Sequence, residues 1–170
     1  MDDIEDNAAT DAEPRVRAVE SCHIAELIRI GEETRLSPWT AQNYFDELKN
    51  PHAVMLRLVD DENRTIGFVV GRITLAGDVD ISTEGEIYNI AVIESEQNRG
   101  RGQILFDAFS EICRERKVCN VWLEVRESNA TAIRFYERNG FVAVQTRPHF
   151  YDHPREHAIL MKLDLKISGA

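Results

Sequence analysis

The chain has 170 residues, 43% of them hydrophobic, and a formal net charge of −10. That length buries roughly 70% of the surface of the unfolded chain, which fits one globular domain and argues against a second full one. The acidic balance makes a poor general nucleic-acid binder, because phosphates need a basic surface, but it suits attraction of a basic protein partner.

The chain opens with MDDIEDNAATDAE. These residues, 1–13, carry much of the acidic excess and few apolar groups, so they are expected to be disordered, with a single domain over 14–167. The start lacks the basic and apolar regions of a signal peptide, and no stretch approaches a membrane span, so a cytoplasmic location is expected. VRAV at 16–19 predicts a short strand. SCHIAELIRIGEET follows, with Ser21 as helix cap and apolar residues at 24, 27, 28 and 30. Ser37 and Pro38 repeat the start signal for a helix running to about Lys49. Residues 53–59 and 65–75 are β-rich runs separated by DDENR, which predicts a hairpin, and GDVDISTEG reads as a polar loop. EIYNIAVI is a strand with apolar residues on both faces, as in a sheet interior.

After that strand comes QNRGRG at 97–102, and then QILFDAFSEICRERK with apolar residues at 104, 105, 108, 109 and 112, an amphipathic helix. VCNVWLEV returns as a strand. ATAIRFYERNG is a helix with Asn129 placed to cap it and Gly140 just past its end, while FVAVQT and EHAILMKLDL are further strands. The order of elements gives an α/β domain with a mixed sheet. Cys22, Cys113 and Cys119 are odd in number without CxxC spacing, which favours small buried thiols over a disulfide or zinc site. His149, His153 and His157 recur every fourth residue, but Pro148 and Pro154 break any helix there, so no metal site is expected.

A strand, then Q-x-x-G-x-G, then a helix places several backbone N–H groups and the positive end of a helix dipole at one point, where an anion would be held. Glycines let a phosphate approach without meeting a Cβ. The same pattern also serves a plain turn. There is no G-x-x-x-x-G-K-[ST], and Leu105 removes G-x-G-x-x-G, so neither common nucleotide motif is present.

The run QNRGRG, the strand VWLEVR and the segment NATAIRFYERNGF, in that order and spacing, resemble the GCN5-related N-acetyltransferase family over residues 15–165. SPWTAQNYFDEL, YNIAV, WLEVRESNATAIRFYERNGF and YDHPREHAILMKL further resemble its bacterial ribosomal-protein alanine N-acetyltransferase group, the RimI group. Two features depart from that pattern: IESE at 93–96 replaces an Asp-Pro pair and an aromatic, and His157 replaces a common aspartate. The resemblance implies a mixed, mostly antiparallel sheet of six to seven strands with splayed central strands, flanked by about four helices. It implies acetyl-coenzyme A as co-substrate and no metal. The pyrophosphate would lie on the loop of Gln97, Asn98, Arg99, Gly100, Arg101, Gly102 and Gln103, the pantetheine arm along the backbone of Ile90, Ala91 and Val92, and Asn129 would touch the coenzyme. The implied acceptor is the N-terminal α-amine of a basic ribosomal protein such as S18, acetylated by a monomer or weak dimer without nucleic acid or membrane.

Two residues carry the implied chemistry. In V121-W-L-E-V-R126, alternation sends Glu124 to the face of Trp122 and Arg126, opposite Val121, Leu123 and Val125. From pattern alone Glu124 is equally a solvent-facing residue paired with Arg126. The resemblance makes it the general base, with burial beside Trp122 raising its pKa. Tyr136 reads by default as a core aromatic, and the resemblance makes it the general acid, since a phenol can donate to a departing thiolate by proton transfer or hydrogen bond. An antibiotic, polyamine or other small amine, a protein lysine, or acyl-coenzyme A binding without turnover are competing readings, because acceptor loops vary within one fold.

Overall fold

The computed structural model describes residues 13–77 and 82–165. The acidic tail read as disordered, residues 1–12 of it, lies outside the described residues. Among the described residues, seven strands form one sheet in the order β1-β2-β3-β4-β5-β7-β6. They are β1 (Arg15–Ala18), β2 (Ala53–Val59), β3 (Thr65–Ala76), β4 (Ser82–Val92), β5 (Asn120–Arg126), β6 (Val142–Asp152) and β7 (Arg155–Asp164). Four α-helices among the described residues flank them: α1 (Ile24–Glu33), α2 (Ala41–Lys49), α3 (Arg101–Glu115) and α4 (Ala130–Arg138). All neighbouring strands run antiparallel except β4 and β5, which are parallel and joined by the α3 crossover. This is the mixed, mostly antiparallel architecture expected, and among the described residues no helix is long and apolar enough to cross a membrane.

Alternation along the strands feeds two cores. Leu58, Val69, Ile87, Leu123 and Met161 pack with Phe106, Phe109 and Tyr136 beneath α3 and α4. Met55, Phe68, Val70 and Ala91 pack with Leu27, Ile30 and Tyr44 beneath α1 and α2. The second core is tied at its rim by Glu47, 2% exposed, whose carboxylate takes three bonds from the Arg72 guanidinium, at 2.8 and 3.1 Å from Nε and 2.5 Å from Nη2.

The helix starts differ from the sequence reading in physical detail. Ser21 opens a 3-10 turn rather than capping a helix, and the cap position falls on Glu20, whose N–H donates to His23 Nδ1 at 3.0 Å. The second helix begins at Ala41, not after Ser37-Pro38. Thr40 and Asn43 form a reciprocal capping box, Asn43 N–H donating to Thr40 Oγ1 at 3.2 Å and Thr40 N–H to Asn43 Oδ1 at 2.8 Å, which outcompetes the Ser-Pro signal. The polar stretch read as a loop is already strand from Ser82, because Ser82–Gly85 continue the ladder with Ile73–Ala76. Cys113 is a buried thiol as expected, but Cys22 is exposed on the 3-10 turn and Cys119 is partly covered.

Candidate active site

The site begins where β4 and β5 part. Their ladder consists of four pairs, Glu84 with Asn120 through Ile87 with Leu123, and no further rung joins them among the described residues. The cause lies in β4. Asn89 faces Val70 and Ile87 faces Gly71, so Tyr88 is an extra residue without a partner on β3, and the strand bends. Gly71 makes the bend possible: a Cβ there would collide with the Glu86 carbonyl and stand 2.7 Å from the Phe109 ring. Beyond the fork the facing backbones of Tyr88–Val92 and Glu124–Arg126 line a groove of about 720 Å³.

One end of the groove is the glycine loop. Gln97, Asn98, Gly100, Arg101, Gly102 and Gln103 line it, as do Ile90, Ala91, Val92 and Asn129. Gly100 caps α3 in the left-handed region at φ 76°, and Asn98 is left-handed too at φ 59°. The first turn of a helix leaves N–H groups without carbonyl partners, so the start of α3 presents donors and a positive dipole end. A Cβ at Gly100 would meet nothing within 4 Å, so space as well as donors is available to an anion. The Gln97 side chain donates to Val92 O at 2.9 Å and fixes the loop to the end of β4. Gln103 commits its amide nitrogen to Asn139 Oδ1 at 2.7 Å and Asp107 Oδ1 at 2.8 Å, tying α3 to the end of α4. Asn129 caps α4 by accepting from Ala132 N–H at 3.1 Å. Arg99 alone of the expected loop set does not line the groove; it pairs with Glu96 at 2.9 Å. Glu96 also holds Arg101 Nε at 3.0 Å, so the unusual IESE segment supplies the carboxylate that orders both arginines. Its Glu94 N–H donates to Glu33 at 2.8 Å, joining the loop to α1.

Glu124 sits on the α1/α2 side of β5, 20% exposed at its side chain. Desolvation pushes its pKa up, Arg147 pulls it down, and Glu86 pushes it up again. The expected partner Arg126 is engaged elsewhere: it pairs with Glu156 at 2.8 Å, donates to the carbonyls of His153 and Pro154, and reaches Ser37 at 3.5 Å. Arg147, on β6, is the cation on Glu124 instead. Tyr136 approaches from α4 on the other side of the sheet. It is 6% exposed, packed edge-on against Phe135 and Phe141, and lines the groove. Burial drives its pKa well above the ordinary phenol value, so its proton stays on oxygen at any physiological pH. Its ring is thus a core aromatic, as the default reading has it, and the residue also forms part of the groove wall.

Sequence reasoning missed the other wall. Trp39, Glu86, Tyr88, Asn89, Arg126 and Tyr151 also line the groove. Trp39 packs on Tyr44 and Tyr88, with ring centroids 5.2 and 5.8 Å apart, and the Tyr151 hydroxyl donates to Glu124 O at 3.4 Å beneath the Arg126 guanidinium. Asn89 is 5% exposed, and its amide nitrogen finds no hydrogen-bond partner among the described residues. The alternation of Glu86 and Tyr88 with Ile87 was a visible signal that both leave the core of α3. His149 and His157 are joined to each other, the His149 N–H donating to His157 Nδ1 at 3.0 Å; no group of three or more metal-ligating side chains occurs among the described residues.

Residues 22–141 match the model of the Acetyltransferase (GNAT) family. The chain is 32% identical over 152 residues to the [ribosomal protein bS18]-alanine N-acetyltransferase of Haemophilus influenzae, covering 86% of this chain and 95% of that relative. The crystal structure of the ribosomal-protein-S18-alanine N-acetyltransferase from Escherichia coli superposes with a TM-score of 0.78 at 26% identity, covering 92% of this chain and 97% of that one. Arabidopsis thaliana NAA60 in complex with acetyl-CoA shares the fold, with a TM-score of 0.81 at 20% identity over 90% of this chain and 99% of that one.

Proposed function

The chain belongs to the GNAT acetyltransferase family, and from that premise we propose that it transfers the acetyl group of acetyl-coenzyme A to the N-terminal α-amine of alanine in a ribosomal protein such as S18. The observation that carries this reading is the fork between β4 and β5, with Glu124 in its wall on the α1/α2 side and Tyr136 entering it from α4. The groove fits the co-substrate in kind. Open space at Gly100 and the start of α3 suit a pyrophosphate, and the unladdered edge of Ile90–Val92 offers N–H and C=O groups to an amide-containing arm. Bound there, acetyl-coenzyme A supplies an activated acetyl thioester.

The acceptor nitrogen bonds to the acetyl carbon as the carbon–sulfur bond breaks. Glu124 takes the proton that the nitrogen sheds, directly or through water, and its raised pKa brings it closer to the amine's. Tyr136 meets the departing sulfur. A phenol whose pKa lies above that of a thiol, near 8.5, gives up its proton reluctantly, so it acts first as a hydrogen-bond donor to the thiolate. Backbone N–H groups of the parted β4 polarise the acetyl carbonyl. An α-amine, with a pKa near 8, is about a tenth neutral at pH 7 and needs only a modest base, whereas lysine is well under a thousandth neutral. Glu86 and Glu124, both in the groove wall, favour a basic peptide.

The test is turnover of acetyl-coenzyme A on a basic peptide with a free N-terminal alanine, the same peptide blocked at its α-amine, and small amines. Activity on the free peptide that disappears with the block supports the reading. Acetylation that survives the block moves the reaction to lysine, and preference for the small amines replaces the protein acceptor altogether.

A further inference from the structure

Arg147 stands on the edge strand β6, yet its guanidinium reaches across β7 to the Glu124 carboxylate. The register allows the reach. Gln145, Leu160 and Glu124 form one row across the three strands, and Arg147, Ala158 and Arg126 form another, so Arg147 and Glu124 face the same side two residues apart. Glu124 is therefore met by a resident cation at the place where an acceptor ammonium must come. The contact is not buried, since the Arg147 side chain is 47% exposed. Its guanidinium also lies 5.6 Å from the ring of Phe150, a groove-lining aromatic that is 44% exposed, so a second resting place is within reach.

We propose that Arg147 is a specificity-determining residue: an acceptor amine displaces it from Glu124, and the exchange favours peptide α-amines over simple amines. This rests on the reading of Glu124 as the base. A peptide brings the positive charge that replaces the guanidinium on the carboxylate, and behind that charge it brings carbonyl oxygens. The displaced guanidinium, with five donors and no acceptor, takes those oxygens in place of the carboxylate. A simple amine brings the charge alone and leaves the guanidinium to water and the Phe150 ring. The other groups that bear on Glu124 are Glu86 and Tyr151.

The experiment is steady-state kinetics of Arg147→Ala and Arg147→Lys from pH 6 to 9, with an alanine-starting basic peptide and with propylamine as acceptors. Arg147→Ala should lower KM for propylamine several-fold and reduce the peptide-to-amine ratio of kcat/KM by roughly fivefold or more, with KM for acetyl-coenzyme A unchanged. Its acid limb should move to higher pH, because a cation that held the carboxylate ionised is gone; Arg147→Lys should keep the limb in place. An unchanged ratio and limb in a folded Arg147→Ala protein would make the pair a passive surface contact. A fall in kcat with the ratio and limb unmoved would make Arg147 an orienting group, not one that is displaced. Glu124→Gln serves as the separate control, since full activity there would remove the base reading itself, whatever Arg147 does.

Discussion

Replacing Glu124 by glutamine keeps the size of the side chain and removes its capacity to take a proton at neutral pH. The cost to the fold is small. The lost ion pair with Arg147 is partly exposed, a class worth about 0–1 kcal/mol, and removing a desolvated carboxylate works the other way. For a chain of this size that corresponds to a shift in Tm of about 4 °C or less. With Glu124 as the proposed base, the expected cost to the reaction is much larger: a positioned base contributes about 10²–10⁴ in rate, or about 2.7–5.4 kcal/mol at 1.36 kcal/mol per decade. The pH dependence has a definite sign. Desolvation raises the Glu124 pKa, so wild-type kcat/KM should fall as pH drops through a pKa higher than that of a free glutamate. The deficit of the variant narrows between about pH 7 and 9, because the α-amine loses its own proton over that interval. Release of free thiol, followed across this range for both proteins beside a thermal melt, measures all three quantities. An unaltered rate in the folded variant would remove Glu124 from the mechanism, and a deficit that stays constant to pH 9 would point to lysine as acceptor.

Gly100→Asp puts a carboxylate at the start of α3 in a left-handed position costing up to about 1–2 kcal/mol, and calorimetric titration should show acetyl-coenzyme A binding weakened far more than in Gly100→Ala, which bears at least as large a backbone cost without the charge. Equal affinities in the two would return QNRGRG to a plain turn. Tyr136→Phe keeps the edge-on packing with Phe135 and Phe141, so stability should hold while kcat falls by about 10²; full activity would leave Tyr136 a core aromatic only. Arg72→Ala leaves the Glu47 carboxylate, 2% exposed, without its guanidinium, and denaturant unfolding should show a loss of about 3–5 kcal/mol, against which a loss below 1 kcal/mol would mean that water reaches Glu47.

Most of the architecture was legible because its signals are local. Period-2 alternation located β5 and its Glu124 face, as the burial of Val121, Leu123 and Val125 bears out, and Asn129 and Gly140 bracket α4 as their residue types require. What failed locally was a choice between competing caps: Ser37-Pro38 looks like a helix start, and the reciprocal bonds of Thr40 and Asn43 override it. What could not be read at all depends on strand register. The partner of Glu124 is Arg147, twenty-three positions away and two strands over, whereas the sequence neighbour Arg126 turns to the β6–β7 turn and Ser37. The bulge at Tyr88 is equally silent, because nothing in YNIAV distinguishes a strand that keeps step with β3 from one that slips by a residue.

The exposed strand β6 has a consequence for how the molecule behaves in concentrated solution. It is one rim of the sheet, with β1 at the other, and carries Val142 at 57% and Val144 at 47% exposure, a surface on which another chain's strand could lay itself. Its outer half forbids that. Pro148 offers no N–H, His149 turns left-handed at φ 55°, and the ladder with β7 breaks between Arg147 and Tyr151. A strand docking on this rim would meet the first irregularity of the ladder already between Ala143 and Gln145, and the Arg147 guanidinium before the backbone turns at Pro148. The kink just past Arg147 thus blunts this rim against growth by accretion.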